Sequence, residues 1–127
     1  EFKRTKKNSV NLFTKAIGKK IVNIRLFKNE RCFSIELENE VHILFKMHGN
    51  RSNIILIDKN EVIALFKNNL KNDSHINIDA LDREIDQSYK AFRNSGSDYL
   101  SLFPTFGVVI KQELIKNNYS TLQSEDK

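Results

Sequence analysis

A chain of 127 residues with 39% hydrophobic residues is long enough for one main folding unit and too short for two independent cores. It contains no apolar run of the ~20 residues that a membrane-spanning helix needs and opens with no signal segment, so we expect a soluble, cytoplasmic protein. Its single cysteine, Cys32, excludes an internal disulfide, and its three histidines lack the spacing of paired metal ligands. We therefore expect no metal and no cofactor. The first residue is Glu1 rather than Met, which indicates a fragment of a longer protein.

Positive charge is concentrated at the start of the chain. The net charge is +5, yet residues 1–28 carry nine Lys or Arg against one acid, so all the excess lies there. A concentrated basic segment favours a polyanionic partner. The alternative is a solvated basic arm, and charge alone does not decide between the two. The basic residues are Lys3, Arg4, Lys6, Lys7, Lys15, Lys19, Lys20, Arg25 and Lys28.

In the first part of the chain, a helical period gives way to a strand period. Val10, Phe13 and Ile17 repeat at helical spacing behind a capping residue at position 8 or 9, and Gly18 ends this predicted helix. From residue 21 the period is two, which predicts a half-buried strand.

Four further strands are predicted before residue 67. Apolar and polar residues alternate in the first two runs, and two continuous apolar runs follow a loop at 48–52. Short polar turns separate the members of each pair, which indicates two successive antiparallel hairpins. The runs are 33–37, 41–47, 54–57 and 62–66.

The rest of the chain predicts two helices. After a polar connection, apolar residues recur every three or four positions over 81–92, behind a capping Asp79. A second helix is predicted to begin near Pro104 and to be followed by a frayed polar tail. These elements make an α+β chain, in which we assign the basic arm, helix and strands to residues 1–78 and a helical segment to 79–127.

Most phenylalanines fall on the apolar faces of these predicted elements. We therefore expect core packing for them rather than stacking on bases. Those assigned to the core are Phe13, Phe33, Phe45, Phe66 and Phe92.

Three stretches of the chain carry a family resemblance. Residues 18–25 and 29–33 form a strand and a turn with an acid–arginine pair. Residues 47–56, Met-His-Gly-Asn-Arg-Ser-Asn-Ile-Ile-Leu, form a glycine-bearing loop that runs into a strand and are the most specific of the three. Residues 102–107, Leu-Phe-Pro-Thr-Phe-Gly, resemble the start of a helix-hairpin-helix region. In this order they resemble the N-terminal NFACT domain of RqcH-type ribosome-quality-control factors, the fibronectin-binding protein A type.

The resemblance implies both a fold and a function. The fold would be an antiparallel sandwich or barrel-like sheet with flanking helices, similar to the N-terminal domain of formamidopyrimidine-DNA glycosylases. Members of the family bind tRNA and a large ribosomal subunit carrying stalled peptidyl-tRNA, and they support C-terminal tail addition. The family's Asp-Arg pair, implicated in tRNA engagement, is matched here by Glu30 and Arg31. The implied partners are tRNA, ribosomal RNA, the large ribosomal subunit and the remaining domains of the full-length protein.

We expect a single RNA-binding surface where Arg31 and the 48–53 loop meet the basic start of the chain. Arg31 would contact a phosphate or base edge with Glu30 orienting it, and the alternative is a simple turn ion pair. The loop offers its N–H groups and polar side chains to the phosphates and sugars of an RNA backbone. The alternative is a tight connection in which Gly49 supplies a positive φ and Asn53 caps the turn. The predicted RNA-binding residues are Glu30, Arg31, His48, Asn50, Arg51, Asn53, Lys3, Arg4, Lys6, Lys7, Lys19 and Lys20.

Two rival functions come from the same resemblance. A DNA-glycosylase-like enzyme would use an N-terminal proline amine, whereas the only proline here is Pro104. His48 has no nucleophile or second carboxylate at readable spacing, so we expect a packed loop residue and no catalysis. A fibronectin-binding or adhesion module is the other rival, and the lack of a secretion signal argues against it.

Overall fold

A computed structural model describes residues 11–96 and 98–117, which form an α+β fold. The chain divides into two compact units. The first unit combines Arg31–Leu81 with the chain up to Phe27, and the second combines Lys28–Glu30 with the chain from Asp82 onward. None of the helices in these described ranges is long and apolar enough to cross a bilayer.

The first unit is built on a five-stranded antiparallel meander in the order β1-β2-β3-β4-β5. The predicted strands and both hairpins are confirmed. Across the described residues the sheet is open, with β1 and β5 at its edges, so the expected sandwich or barrel is not seen here. The strands are β1 (Ile21–Leu26), β2 (Cys32–Leu37), β3 (Val41–Lys46), β4 (Asn53–Asp58) and β5 (Glu61–Leu65).

Tight turns at one end of the sheet fix the hairpins. Asn39 and Glu40 both have positive φ angles, 64° and 57°, and so do Lys59 and Asn60, 48° and 67°. Two successive positive φ values are the signature of type I′ turns, whose twist matches that of paired strands. Asparagine tolerates this conformation better than most residues, so the polar turn residues set the strand register locally.

Each sheet face packs against a different part of the chain. On one face a buried cluster that includes Leu44, Ile55 and Ile57 packs against Ile78. Ile78 lies in the 67–81 connection, which contains the 3-10 helices Lys71–His75 and Ile78–Ala80. On the other face Leu37, Val41 and Leu56 form a smaller cluster against which Phe13 and Ala16 pack.

The structure corrects three expectations for the first unit. The helix predicted up to Ile17 is reduced to a 3-10 helix, Thr14–Ala16, and its predicted start lies outside the described residues. Strand β1, at one edge of the sheet, is exposed rather than half-buried: five of its six residues are exposed. Phe66, assigned to the core, is 58% exposed because it follows the edge strand β5.

The second unit contains helices α1 (Tyr89–Asn94), α2 (Tyr99–Leu102) and α3 (Val108–Lys116). The helix predicted over 81–92 is wrong for residues 81–88 and is confirmed only from Tyr89 onward. Lys28 N–H donates to an Asp82 carboxylate oxygen at 2.7 Å, and Arg83 N–H donates to the Lys28 carbonyl at 3.0 Å. These contacts hold the segment before α1 in a non-helical conformation, so the helix begins only after its cap. The predicted frayed tail lies almost entirely outside the described residues.

Candidate nucleic-acid interface

One end of the sheet brings together Arg31 and the loop that follows β3. Because β2 runs antiparallel to β3, the start of β2 lies beside the end of β3. The Met47 N–H donates to the Arg31 carbonyl at 2.8 Å, which fixes the Arg31 backbone against the loop. Arg31, Asn50 and Arg51 are all exposed. We call this region, residues 31, 46–53 and 66–73, the loop end of the sheet.

The loop itself is a compact turn. Its centre is the 3-10 helix Gly49–Arg51, in which Gly49 has φ +59° and has open space where a Cβ would lie. The Ser52 hydroxyl and N–H both donate to the Gly49 carbonyl, at 2.6 and 2.9 Å, and the Arg51 N–H donates to the His48 carbonyl at 3.2 Å. The turn therefore uses some of the N–H groups that the sequence offered to a ligand, while it leaves the Asn50 and Arg51 side chains exposed on a fixed backbone.

Asn53 is a structural residue and a correction to the predicted set. It is 4% exposed, and its side-chain oxygen accepts from the N–H groups of Ile54 at 3.0 Å and Lys67 at 2.8 Å. Its amide donates to the Lys67 carbonyl at 3.2 Å and to Asp73 at 2.9 Å. A buried amide with these bonds satisfied has nothing left to offer RNA. It joins the start of β4 to the segment after β5.

A buried ion pair completes this support. Asp73 is 2% exposed, and one of its carboxylate oxygens binds the Lys46 ammonium while the other accepts from Asn53. The Lys46 side chain is 18% exposed. Lys46, Asn53 and Asp73 therefore tie three separate segments together beneath the loop end, which holds the surface side chains on a rigid base.

His48 contacts a residue that the sequence did not suggest. Its Nε2 lies 3.6 Å from the Cys32 sulfur, and Cys32 is buried. The imidazole therefore lies against the start of β2, as expected for a packed loop residue. The pair is 16 positions apart in sequence and meets only because β2 and β3 are neighbours.

Glu30 has a different partner from the one expected. Its carboxylate lies 2.5 Å from the Arg83 guanidinium, and its side chain is 9% exposed. Both residues belong to the second unit. The simple picture in which Glu30 serves to orient Arg31 is thus incomplete, because an arginine 53 positions away in the sequence also binds this carboxylate.

Lys19 and Lys20 lie at the opposite end of the sheet from Arg31. The Lys19 ammonium donates to the Glu38 carbonyl at 3.4 Å, and the Glu38 N–H donates to the Lys20 carbonyl at 3.0 Å. Arg31 directly precedes β2 and Glu38 directly follows it, so the two groups are seven strand residues, or ~23 Å, apart. The expected single surface is therefore wrong for these two lysines. Lys3, Arg4, Lys6 and Lys7 lie outside the described residues.

The two sheet ends differ in charge. Residues 31, 46–53 and 66–73 of the loop end carry five basic residues against one acid, the buried Asp73. Glu30, directly before Arg31, adds a second carboxylate, which pairs with Arg83. The opposite end, residues 19–20, 38–40 and 58–61, carries three basic residues against four acids. There Lys15 also donates to Asp58 at 2.6 Å, and this hydrogen bond lowers the pKa of the Asp58 carboxyl. The five basic residues of the loop end are Arg31, Lys46, Arg51, Lys67 and Lys71. Sequence reasoning identified the two arginines and missed the three lysines.

Lys67 and Lys71 belong to a segment whose composition predicted only a polar connection. Lys67 reaches the loop end because its backbone is bound by Asn53. Lys71 opens the 3-10 helix that contains Asp73. The basic residues of the 67–79 segment were the one available signal, and no sequence pattern indicates where that segment returns to the sheet. The chain was compared with protein-family models, with curated proteins and with solved structures, and no match was found in any of the three comparisons.

Proposed function

We propose that this chain is a non-catalytic RNA-binding module that holds a ribose–phosphate backbone against the loop end of its sheet. The observation that carries the proposal is the convergence of exposed Arg31, Asn50 and Arg51 at the loop end. There five basic residues outnumber the buried Asp73, which pairs with Lys46, and the adjacent Glu30, which pairs with Arg83. Arginine forks suit bidentate contacts to phosphate, and amide side chains suit sugar and phosphate oxygens. The buried support beneath them favours binding without a large loss of side-chain freedom.

The family resemblance extends this proposal to particular partners. We propose tRNA and the large ribosomal subunit with its ribosomal RNA as the ligands, in support of tail addition to a stalled chain. The kinship with the glycosylase N-terminal fold and a helix-hairpin-helix region starting at residues 102–107 belong to the same proposal. In it Arg31 and Arg51 make the primary contacts. Lys19 and Lys20, at the other end of the sheet, make secondary contacts only with an RNA long enough to reach both ends.

The proposal is tested by measuring the affinity of labelled tRNA for charge-neutralised variants. Arg31→Gln and Arg51→Gln should each weaken binding tenfold or more, because a hydrogen bond to a charged group contributes about 1.5–3 kcal/mol. Lys59→Gln is the matched control, since it removes the same charge from an exposed residue at the opposite end of the sheet. Equal losses in all three variants, or no loss in the arginine variants, would contradict the proposal.

A further inference from the structure

A row of apolar side chains crosses the sheet beside the loop end. Directly paired residues of neighbouring strands point to the same face, and Phe45 faces Phe33 on one side and Ile54 on the other. The Phe66 N–H donates to the Ile54 carbonyl at 2.9 Å, which extends the row past β5. The members of this apolar row are Leu26, Phe33, Phe45, Ile54 and Phe66.

The apolar row is accessible to a ligand. Phe13 and Ala16 pack against the other half of the same face, around Leu37, Val41 and Leu56. In the row itself, Leu26 is 79% and Phe66 58% exposed, and the three members between them are half-buried. Large apolar side chains grouped on a surface, rather than scattered singly, mark a binding surface.

Part of the apolar row forms a hollow of about 250 Å³. Its apolar walls are Phe45, Met47, Ile54 and Phe66, and Met47 is itself 53% exposed. Because Ile54 stands between the two phenylalanines in the row, the hollow lies over Ile54 with an aromatic ring on each side. This volume is below the ~300–1,000 Å³ of pockets for larger cofactors and drug-sized ligands, and it suits a single planar ring system.

The charges around the hollow select the class of ligand. Lys67 lines the hollow, and Arg51 lies in the loop that ends at Ser52, another lining residue. Lys46 also lines the hollow, but its ammonium is paired with Asp73. The acid of the loop end, Asp73, is buried against Lys46 and Asn53. An apolar hollow between aromatic rings with a cationic border is complementary to a nucleobase attached to a phosphate backbone.

We propose that this hollow binds an unpaired base of single-stranded RNA, with Phe66 as the stacking platform and the flanking phosphates at the loop end. The inference rests on the proposed function and makes it specific. A base inside a duplex keeps its faces stacked on its neighbours and its ring cannot enter the hollow, whereas an unpaired base is free to do so. The site therefore discriminates unpaired from paired segments of RNA.

The absence of tryptophan from the chain provides a direct test. Phe66→Trp places a single indole in the hollow, and its fluorescence reports stacking on a bound base. Titration with an unstructured oligouridylate should quench this fluorescence, and an RNA duplex of equal length should not. In parallel, Phe66→Leu should weaken oligouridylate binding about tenfold, because base stacking on an aromatic ring is lost while the apolar character is kept. Tyr89→Leu is the matched control, since Tyr89 is 56% exposed in helix α1, and it should bind like the wild type.

The outcomes separate this inference from the proposed function. If Arg51→Gln still weakens RNA binding while the indole is quenched by neither RNA, or equally by both, the hollow is not a base site and the phosphate-binding proposal stands. If neither RNA binds the wild-type chain, both proposals fail. Should Phe66→Leu fold poorly, the quenching of Phe66→Trp decides the question alone.

Discussion

Replacing Asp73 with alanine should destabilise the first unit strongly. The carboxylate is 2% exposed and binds both the Lys46 ammonium and the Asn53 amide. Its removal leaves a lysine that is only 18% exposed without its counter-ion and leaves an N–H of Asn53 without one of its acceptors. Removing one partner of a buried ion pair costs about 3–5 kcal/mol. Because Lys46 keeps some access to water, we expect a loss near the lower limit, about 3 kcal/mol.

The assay is urea unfolding followed by circular dichroism, with the free energy of unfolding extrapolated to water. The double variant Lys46→Met with Asp73→Leu is the control, because apolar side chains of similar volume often replace a buried pair without loss. It should recover most of the stability that Asp73→Ala loses. A free energy of unfolding for Asp73→Ala within about 0.5 kcal/mol of the wild type, the range of ordinary surface substitutions, would show that the ion pair does not stabilise the unit.

Three further predictions concern the core, a helix cap and a surface ion pair. Leu44 is fully buried in the cluster with Ile55, Ile57 and Ile78, so Leu44→Ala should lower the free energy of unfolding by about 2–5 kcal/mol in the same urea assay. The Ser88 hydroxyl caps α1 by accepting from the Ala91 N–H at 3.2 Å, so Ser88→Ala should cost about 1 kcal/mol and speed hydrogen exchange at Ala91. Lys15→Met should raise the pKa of Asp58, followed by NMR. The ion pair lowers the pKa of Asp58 in the folded state. It therefore stabilises the fold fully above the ordinary carboxyl pKa, and this stabilisation is lost as the pH falls through the lower folded-state pKa.

The strands could be predicted because their signals are local. Period-two alternation and polar turns at 38–40 and 58–61 define hairpins without reference to the rest of the chain. The helix over 81–92 was wrong because Asp82 and Arg83 bond with Lys28, more than fifty positions away. The apolar residues of this segment do recur at helical spacing, but hydrogen bonds to a distant part of the chain hold its first residues in a non-helical conformation.

The same distinction applies to the candidate interface: features set by neighbouring strands could be predicted from the sequence, and features set by distant segments could not. Hairpin order was enough to predict that Arg31 meets the 48–52 loop. It was also enough to show that Lys19 lies at the far end, a consequence that the charge-based argument overlooked. The burial of Asn53 and the arrival of Lys67 at the interface depend on where the 67–79 segment returns to the sheet, which no local pattern encodes.

The exposure of Phe66 shows the limit of assigning faces from periodicity alone. An apolar residue at the end of a predicted strand looks like core whether or not another layer covers it. Here Phe13 and Ala16 pack against the half of the face around Leu37 and Val41, while Phe66 is 58% exposed. The apolar row was therefore read as core from the sequence, although its Phe66 end lies open beside the basic loop.

The most direct test of the interface is the dependence of tRNA affinity on salt. For a backbone-binding surface, the logarithm of the association constant falls linearly as the logarithm of salt concentration rises, with a slope set by the number of phosphates contacted. We predict that the Arg31→Gln, Arg51→Gln double variant has a slope shallower than wild type by about one to two. A double variant with the wild-type slope, combined with a flattened slope for Lys19→Gln, Lys20→Gln, would contradict the account and move the RNA to the other end of the sheet.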